Sequence, residues 1–515
     1  NLTTLTLPTG QHLNHLYYGS GHLHQLNLDG QLISDMERDD LHREIYRTQG
    51  KLTSCFGYDS MGRKAWQYAT TLPAEKLSQI QNPLIKPERY VEHAYNSIHR
   101  RYEYDPAGEL SRTLDKLRGE TRYEYEANGQ LLARNNGLIV DGEEFRYDAA
   151  ANRLNFNTSR FDHVKDNRLK QWRNHEYKYD AWGNLIEKAV GIVRWQTFTY
   201  DCENRLVKTE TMADTQVEST SSYQYDSLGR RVGKQSEIKG QSDQKRFLWQ
   251  GLRMLREESP GQSSLYLYEP GSYAPLARVD EKEGETENKV YYYHTDQIGT
   301  PLEMTDAEGQ IVWQAKYRAW GAVEKLVVNE VEQNLRFQGQ YFDVETGLHY
   351  NTFRYYDPEI GRFTTQDPIG LLGGENLYQY VNNPILWTDP WGLCAKKDWG
   401  VYYSRVTGTV APSSIIRPHA HHIVFKGEFA KIPGRQKALQ RSRAVLDRYK
   451  IDPVYDPASM MWAENRNHTT VNAKLVASKL EEADRIITAR DLSFNDAASA
   501  MRTALQKIGI EVFGN

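Results

Sequence analysis

The sequence contains, at residues 102–110, the stretch Tyr102-Glu103-Tyr104-Asp105-Pro106-Ala107-Gly108-Glu109-Leu110, and this stretch decides the fold. Its aromatic residues alternate with a polar one, which is typical of a strand with one buried and one exposed face. An aspartate followed three residues later by a glycine is typical of a tight hairpin turn, because glycine readily takes the positive φ that such turns need. The stretch therefore predicts a strand, a turn and the start of a second strand.

The same unit recurs along most of the chain. Two further clear copies are Tyr123-Glu124-Tyr125-Glu126 with Gly129 and Tyr177-Lys178-Tyr179-Asp180 with Gly183, and weaker copies contain Tyr58-Asp59, Tyr147-Asp148, Tyr200-Asp201 and Tyr225-Asp226. The acidic position returns at intervals of about 21 to 32 residues, enough for two strands and two turns. Since a single hairpin cannot bury its apolar face, we expect the repeats to pack on their neighbours and coil into a solenoid or wide barrel.

The composition fits many short strands whose side chains are amphipathic. Only 39% of the residues are hydrophobic and the mean hydropathy is −0.74, but 34 Tyr and 11 Trp supply apolar surface. A chain of 515 residues is too long for one hydrophobic core, so we expect at least two structural units. Three widely spaced cysteines, Cys55, Cys202 and Cys394, fit neither a disulfide framework nor a zinc site of clustered cysteines.

The sequence shows neither a membrane-spanning segment nor a signal peptide. No apolar run approaches the roughly 18 residues that a transmembrane helix needs, and no charged start precedes a short apolar core. The first residue is Asn1 rather than a methionine, so we expect the numbering to begin inside a longer precursor whose targeting region lies upstream.

Charge is distributed unevenly along the chain. Residues 394–515, here called the tail, contain 19 Lys and Arg against 12 Asp and Glu, a charge of about +7, and the rest of the chain carries about −11. A basic tail is typical of a domain that binds a polyanion such as nucleic acid. A locally basic domain that merely balances an acidic carrier would show the same numbers.

The repeats resemble the tyrosine-aspartate (YD) repeats of the Rhs family and of the related insecticidal toxin-complex shells, over about residues 15–393. The resemblance implies a mostly β fold in which a spiral of β-strands forms a hollow cocoon or barrel around a C-terminal toxin. It assigns the repeat shell to residues 1–339 and a core-associated, self-cleaving segment to residues 340–393. The alternative from the residues alone is that the tyrosines and aspartates serve packing and turns only, or that exposed aromatics bind carbohydrate.

The self-cleaving segment is indicated by two copies of one motif. They are Asp367-Pro368-Ile369-Gly370-Leu371 and Asp389-Pro390-Trp391-Gly392-Leu393. Each copy alone would be an ordinary turn, but the pair matches the autoproteolytic motif of the Rhs family, in which the cut follows the second copy. The resemblance therefore implies cleavage between Leu393 and Cys394.

The chemistry of such a cut requires two carboxylates near one peptide bond. One can activate water or attack directly, while the other, with a raised pKa, donates a proton to the leaving amine. Asp367 and Asp389 are the candidates, Arg362 is expected to support them, and Asp343 and Asp357 are reserve carboxylates.

The tail, residues 394–515, contains no repeat and changes to helical patterns over residues 436–449, 469–487 and 494–508. Before them, Pro418-His419-Ala420-His421-His422-Ile423 predicts a strand whose adjacent histidines face opposite sides. Further on, His468 and Asn472 have the spacing of one helix face. Together these motifs resemble the ββα-metal, or His-Asn-His, nucleases, and Ala420-His421-His422 resembles their AHH branch. A bland pair of surface or core histidines is the alternative reading.

The resemblance implies a role for each of these residues. His421 and His468 would bind a divalent metal, Asn472 would be a third ligand or support metal-bound water, and His422 would be the general base that activates water. Mg²⁺, Mn²⁺, Ni²⁺ and Zn²⁺ all remain open. Many relatives have a histidine where this chain has Asn472, and Asn465 and Asn467 are both near the place of the usual loop asparagine. DNA phosphates are expected to contact a basic helix through Arg435, Lys437, Arg441, Arg443 and Arg448.

The family resemblance also implies partners and a destination. They are a DNA substrate, a cognate immunity protein, an upstream N-terminal targeting region, a delivery spike of the VgrG/PAAR type, and a possible second copy that completes the shell. The expected route is type VI secretion from the cytoplasm of the producer into that of a target cell, with insecticidal delivery as the alternative. Two other functions stay open at this point: a nucleotide-modifying toxin such as a deaminase, and a non-enzymatic adhesion or delivery shell.

Overall fold

The computed structural model describes residues 2–19, 21–72, 96–137, 142–155, 164–393, 418–425, 433–451, 453, 456–464, 469–490 and 492–513. The chain divides into two compact units. The first comprises Asn1–Glu37, Glu44–Gly57 and Lys64–Lys396, and the second comprises Arg38–Arg43, Tyr58–Arg63 and Lys397–Asn515.

A sheet of twelve strands forms the N-terminal part of the repeat region, and each strand is hydrogen-bonded to the next one along the chain. This order follows from a succession of hairpins. The strands are β1 (Thr4–Thr6), β2 (His12–Tyr17), β3 (Leu23–Leu28), β4 (Gln31–Arg38), β5 (Glu44–Gln49), β6 (Leu52–Tyr58), β7 (Lys64–Thr70), β8 (Asn96–Tyr104), β9 (Leu110–Asp115), β10 (Gly119–Tyr125), β11 (Leu131–Asn135) and β12 (Glu143–Glu144).

Two short ribbons follow, each of two strands: β13 (Arg146–Tyr147) with β14 (Arg153–Leu154), and β15 (Val164–Lys165) with β16 (Arg168–Leu169). A fifteen-stranded sheet then continues the hairpin order. Its strands are β17 (Gln171–Trp172), β18 (His175–Tyr179), β19 (Leu185–Val190), β20 (Arg194–Tyr200), β21 (Leu206–Ala213), β22 (Gln216–Tyr225), β23 (Arg231–Ile238), β24 (Gln241–Gln250), β25 (Arg253–Ser259), β26 (Gln262–Tyr268), β27 (Pro275–Lys282), β28 (Lys289–Thr295), β29 (Pro301–Thr305), β30 (Ile311–Tyr317) and β31 (Val323–Asn329).

A four-stranded sheet closes the first unit, and it carries the segment that the sequence nominated for self-cleavage. Its strands are β32 (Tyr341–Asp343), β33 (Leu348–Asn351), β34 (Arg354–Asp357) and β35 (Arg362–Phe363), paired in that order. Almost every residue of these strands is buried. The expected fold class, mostly β and built from YD repeats, is confirmed by this architecture.

In most repeats the aspartate builds the turn. In the repeat at Asp226, the carboxylate oxygen Oδ1 accepts hydrogen bonds from the backbone N–H groups of Leu228 (2.9 Å) and Arg230 (3.0 Å). Gly229 takes a φ of 76° in the same turn, which few residues other than glycine adopt without strain. The same pattern recurs at Asp59, Asp148 and Asp201.

The two tyrosines of a repeat have different tasks. The side chain of Tyr223 is buried in the core, whereas the hydroxyl of Tyr225 donates a 2.7 Å hydrogen bond to the carbonyl of Leu206 in the preceding repeat. A β-bulge between Gln224 and Tyr225 turns the second tyrosine toward that carbonyl. The same bond joins Tyr125 to Leu110, Tyr147 to Leu131 and Tyr200 to Leu185. Tyrosine is therefore needed here for its hydroxyl as well as its ring.

Buried ion pairs join the sheets of the first unit to one another. Arg100 of β8 contacts Asp115 at 3.0 Å and also pairs with Glu303 of β29 in the other large sheet. Arg231 of β23 donates a 2.5 Å hydrogen bond to Asp343 of β32. Removal of one member of such a pair leaves an uncompensated buried charge, which costs about 3–5 kcal/mol.

The tail contains a small α+β core. Strand β36 (Pro418–His422) pairs antiparallel with β37 (Met460–Glu464), and three helices surround them: α1 (Pro433–Arg448), α2 (Thr470–Thr488) and α3 (Phe494–Phe513). Ile423, directly after β36, packs in one apolar cluster with buried residues of all three helices, such as Leu446, Leu480 and Met501. Among the described helices, none combines the length and the hydrophobicity needed to cross a membrane.

Candidate functional site

Arg354, at the start of β34, brings the two predicted catalytic aspartates together. Its Nη2 atom donates a 3.1 Å hydrogen bond to Oδ2 of Asp367 and lies 3.6 Å from Oδ2 of Asp389. Its Nε atom donates to the carbonyl of Gly392, the residue before Leu393. The guanidinium stacks on the ring of Phe363, 3.6 Å from the ring centroid, so its orientation is fixed. One buried cation thus contacts both copies of the repeated motif.

The two carboxylates accept hydrogen bonds from different parts of the backbone. Oδ1 of Asp389 accepts a 3.2 Å hydrogen bond from the N–H of Leu393. Oδ1 of Asp367 accepts a 3.0 Å hydrogen bond from the N–H of Ile369. Burial raises the pKa of Asp367 above its ordinary value, although the nearby charge of Arg354 acts in the opposite direction. The Asp367 carboxyl group is therefore suited to carry a proton.

Gly373 lies directly beside the Asp367 carboxylate and the Leu393 carbonyl oxygen. A Cβ atom at this position would overlap the carboxylate of Asp367 and would lie 2.8 Å from the carbonyl oxygen of Leu393. The Asp367 carboxylate and the Leu393 carbonyl are therefore neighbours. Gly373 has an ordinary φ of −78°, so this position requires a glycine for space and not for backbone conformation.

Arg362, the residue that the sequence nominated as a support, lies elsewhere. It donates to the carbonyl of Asn167 and its guanidinium faces the ring of Tyr378 at 5.2 Å. The described ion pairs of Asp367 and Asp389 are with Arg354. Nothing in the local sequence around Arg354 distinguishes it from Arg362, so its contact with both aspartates is not predictable from the sequence.

The two reserve carboxylates are engaged in ion pairs of the shell. Asp343 contacts Arg231 at 2.5 Å and Lys234 at 3.1 Å, and Asp357 contacts Lys188 at 2.7 Å. Burial by itself would raise the pKa of Asp343, but Arg231 and Lys234 hold that pKa below its ordinary value. Both carboxylates are therefore paired with cations of the repeat shell.

A cavity of about 250 Å³ reaches the site from the side of the repeat turns. Thr352, Arg354, Thr365 and Pro368 form its wall on the side of the aspartates, and the turn residues 203–206 form part of the opposite wall. Its volume is large enough for several water molecules. Arg354 lines this cavity, although its side chain is almost fully buried.

In the tail, β36, β37 and α2 form a ββα arrangement. His421 is paired in register with Met461 and His422 with Met460, and α2 begins at Thr470, a few residues after β37 ends. The side chain of His422 is buried. The side chain of His421 and the whole of His468 lie outside the described residues, as do Asn465 and Asn467.

Asn472 lies in the first turn of α2, where its backbone N–H donates a 3.1 Å hydrogen bond to the hydroxyl of Thr469. Among the residues whose placement is described, no three His, Cys, Asp or Glu side chains gather as a metal cluster would. The proposed ligands His421 and His468 are not part of that set, so metal binding stays a prediction.

The five cations predicted to contact DNA differ in their partners on α1. Arg441 donates a 2.7 Å hydrogen bond to Glu481, and Arg448 lies 2.6 Å from Asp484, so these two join α1 to α2. Lys437 and Arg443 are exposed like Arg441 and Arg448, but neither forms an ion pair with a described residue, and Arg443 donates to the carbonyl of Phe425 at 3.3 Å. The remaining member, Arg435, faces the ring of Phe425 at 5.9 Å.

The repeat region matches a known family over more than half of the chain. Residues 101–385 fit the model of the teneurin YD shell. The chain belongs to that family. Membership accounts for the tyrosine–aspartate turns and for the succession of hairpins, and the YD shell extends to within a few residues of Asp389.

Several proteins similar to this YD-shell chain are named as toxins or nucleases. It is 42% identical over 425 residues to double-stranded DNA deaminase toxin A of Burkholderia cenocepacia (strain H111), covering 78% of this chain and 29% of that protein. It is 33% identical over 441 residues to toxin protein Tse5 of Pseudomonas aeruginosa, covering 73% and 32%. It is 28% identical over 495 residues to probable deoxyribonuclease RhsB of Dickeya dadantii (strain 3937), covering 93% and 31%. The chain spans about a third or less of the length of these relatives.

Solved structures show the same YD-shell fold at low sequence identity. A Tc holotoxin pore structure from Photorhabdus luminescens aligns with a TM-score of 0.59 at 19% identity, over 76% of this chain and 21% of that one. The crystal structure of TcdB2-TccC3 aligns with a TM-score of 0.54 at 18% identity, over 76% and 21%.

Proposed function

We propose that this YD-shell protein is an Rhs-type toxin that cuts its own backbone between Leu393 and Cys394 and so frees a metal-dependent DNase. The observation that carries the self-cleavage is the convergence of Asp367 and Asp389 on Leu393, with Arg354 between them. Residues from two copies of one motif would not share a buried cation beside one peptide bond if both were ordinary turns.

The cut is a hydrolysis that uses one carboxylate as an acid and the other as a base. Asp367, whose pKa is raised, donates its proton to the carbonyl oxygen of Leu393 beside it. Asp389 takes a proton from the attacking water. As the carbonyl group reforms, the proton on its oxygen returns to Asp367, the C–N bond breaks, and Asp389 passes its proton to the amine of Cys394. The products are a carboxyl group at Leu393 and an amine at Cys394. General acid–base catalysis of this kind contributes a factor of about 10²–10⁴ in rate.

The nuclease proposal is supported by the ββα arrangement of β36, β37 and α2, which places the histidine pair on a strand beside the start of a helix. The relative named probable deoxyribonuclease RhsB supplies a second support. Its alignment covers 93% of this chain, whereas residues 1–393 make up only about three quarters of it, so the similarity continues into the tail.

The donor set of the tail fits a divalent metal. Imidazole and amide groups with room for water suit Mg²⁺, Mn²⁺, Ni²⁺ or Zn²⁺. His421 and His468 would hold the ion, with Asn472 as a third ligand or as a support for water on the metal. A bound metal would stabilise the charge that develops on the scissile phosphate. His422 would take the proton from the attacking water.

A deaminase is less well supported by this tail, despite the name of one relative. The alignment with the deaminase toxin covers 78% of this chain, about the extent of the shell. Zinc deaminases of nucleobases use a Cys-x-x-Cys pair with a histidine, and the tail has a single cysteine, Cys394.

The proposal also includes delivery and self-protection. The toxin would reach the cytoplasm of a target cell by type VI secretion on a VgrG/PAAR-type spike. An immunity protein would protect the producer.

Two linked measurements test this function on the full chain. The wild-type protein should run as two bands on a denaturing gel, with Cys394 as the new N-terminus, and Asp367→Asn or Asp389→Asn should leave one band. Cleaved protein incubated with plasmid and a divalent metal should nick the DNA, and a chelator should stop it. A single uncut band for the wild type, or cutting of plasmid that is indifferent to chelator, would contradict the corresponding half of the proposal.

A further inference from the structure

The turn that joins β33 to β34 binds the backbone that leads to the proposed cleavage bond. Four successive carbonyl groups of that backbone each accept a hydrogen bond from one of four successive residues of the turn. The bonds run from Asn351 Nδ2 to Asp389 (2.8 Å), from Thr352 Oγ1 to Pro390 (3.3 Å), from the N–H of Phe353 to Trp391 (3.2 Å) and from Arg354 Nε to Gly392.

The conformation of Thr352 is unusual for its residue type. Its φ is +57°, a left-handed conformation that is strained for a β-branched side chain. Both Asn351 and Thr352 are buried. Strain of this kind persists only where the surroundings hold the residue in place, and here the bonds of Asn351 to Asp389 and of Phe353 to Trp391 lie on either side of Thr352. The turn is thus shaped to the segment that it binds.

Two glycines allow the segment and its surroundings to approach closely. A Cβ atom at Gly339 would overlap the carbonyl oxygen of Pro390, and one at Gly392 would lie 2.7 Å from the carbonyl oxygen of Asn351. Gly392 also takes a φ of 68°. A shift of the segment by one residue would therefore break all four hydrogen bonds and force a side chain into this space. The register of residues 389–392 is fixed.

We propose that Asn351 and Thr352 are positioning residues for the self-cleavage, and that they set which peptide bond is presented to Asp367 and Asp389. The inference rests on the proposed self-cleavage. Neither side chain touches the Leu393–Cys394 bond in the described contacts; each acts through a carbonyl of the preceding segment. Arg354 completes the set at Gly392 and connects it to the two carboxylates.

The test follows cleavage of the full chain after a pulse of cell-free synthesis, with precursor and products quantified on a gel over time. Thr352→Val keeps the shape of the side chain but removes its hydroxyl, and Thr352→Ser restores the hydroxyl. Asn351→Leu removes the bond to Asp389. Thr305→Val is the matched control. Thr305 lies at the end of β29, and its equally buried hydroxyl forms a 2.9 Å hydrogen bond with His294.

We expect Thr352→Val and Asn351→Leu each to slow cleavage about threefold to tenfold, the range that one neutral hydrogen bond supplies. Thr352→Ser and Thr305→Val should cleave at the wild-type rate. The pH profile should keep its shape in all variants, since neither residue titrates, and mass spectrometry should find a minor product cut at a neighbouring bond in the slow variants.

Equal rates for Thr352→Val and the wild type, or equal slowing by Thr305→Val, would overturn the positioning role. If Asn351→Leu does not fold, the comparison of Thr352→Val with Thr352→Ser decides alone. Failure of the underlying function looks different, because the wild-type precursor itself would then persist or be cut at another site.

Discussion

Nη2 of Arg354 and Oδ2 of Asp367 lie 3.1 Å apart in a buried hydrogen bond between residues 13 positions apart in the sequence. Burial raises the pKa of Asp367 and the charge of Arg354 lowers it. The pKa of Asp367, the proposed acid, thus depends on both effects. Removal of the guanidinium charge should raise this pKa further.

Replacement of this guanidinium should therefore move the pH dependence of cleavage. In Arg354→Met the pKa of Asp367 rises further, so the proton donor stays protonated to a higher pH and the falling limb of the pH–rate profile shifts upward. The rate at every pH should drop by about 10² or more, because the hold on Gly392 is also lost. Arg354→Lys keeps the charge and should leave the limb near its wild-type position at a reduced rate. Pulse synthesis followed at a series of pH values measures both, and an unmoved limb in Arg354→Met would contradict the assignment of Asp367 as the acid.

Gly373→Ala should abolish cleavage without removing any catalytic group. The added Cβ would overlap the carboxylate of Asp367, while the φ of −78° is acceptable to alanine. The folded state should keep a near wild-type melting temperature if the carboxylate turns away to make room. Gly19→Ala is the control, since a Cβ there meets nothing within 4 Å. Wild-type cleavage by Gly373→Ala would show that the carboxylate and the Leu393 carbonyl need not be neighbours.

Asp343→Asn should destabilise the shell, and the same carboxylate should contribute to its acid sensitivity. The change leaves Arg231 and Lys234 buried without their shared partner, at a cost of about 3–5 kcal/mol. Because the pKa of Asp343 is lowered in the folded state, its stabilisation is present above the unfolded pKa of about 3.9 and is lost as the pH falls toward the folded pKa. Urea unfolding at pH 7 and at lower pH measures both effects. Glu308→Gln, which breaks an exposed pair with Lys51, should change the free energy of unfolding by less than about 1 kcal/mol.

Local signals predicted the repeat fold, while the contacts of the site depend on distant residues. Tyr225 and Asp226 build a turn and a bond to the preceding hairpin, so their pattern is visible within one repeat. The motif pair at Asp367 and Asp389 was also visible, because both copies are written in the chain. The part played by Arg354 was not visible in the sequence. This residue lies on a buried strand, and it contacts Asp367 and Asp389 only once the chain has folded. The pairing of Arg441 with Glu481, on another helix, is likewise not visible in the local sequence, and its predicted contact with DNA stays a prediction.

Substitution of the α1 cations without a described ion pair should weaken DNA binding more than substitution of a cation that is paired with an acid of α2. Lys437→Gln and Arg443→Gln remove exposed charges and should weaken DNA binding for every sequence and lower its salt dependence, because phosphate contacts act through counterion release. Arg441→Gln breaks the pair with Glu481 and should change DNA binding less while slightly lowering the stability of the tail. Affinity measured by fluorescence anisotropy at several salt concentrations separates the two groups. Equal losses for Arg441 and Arg443 would show that the α1–α2 pair opens to bind DNA.

The last prediction concerns the different duties proposed for the histidines of the tail. If His422 is the general base, His422→Ala should reduce DNA cleavage by about 10²–10⁴ while leaving metal affinity nearly intact, because a base does not hold the ion. His421→Ala and His468→Ala should instead weaken metal binding, and excess metal should restore part of their activity. Cleaved protein carrying each change can be compared by calorimetric metal titration and by plasmid nicking. His419→Ala is the matched control, since that histidine lies on the same strand and has no proposed role.

Since His422 is buried, its replacement can also disturb the tail core, so the melting temperature must be measured beside the activity. Full cleavage by His422→Ala with normal metal dependence would remove the His-Asn-His mechanism, because no other described histidine of this strand is assigned to activate water.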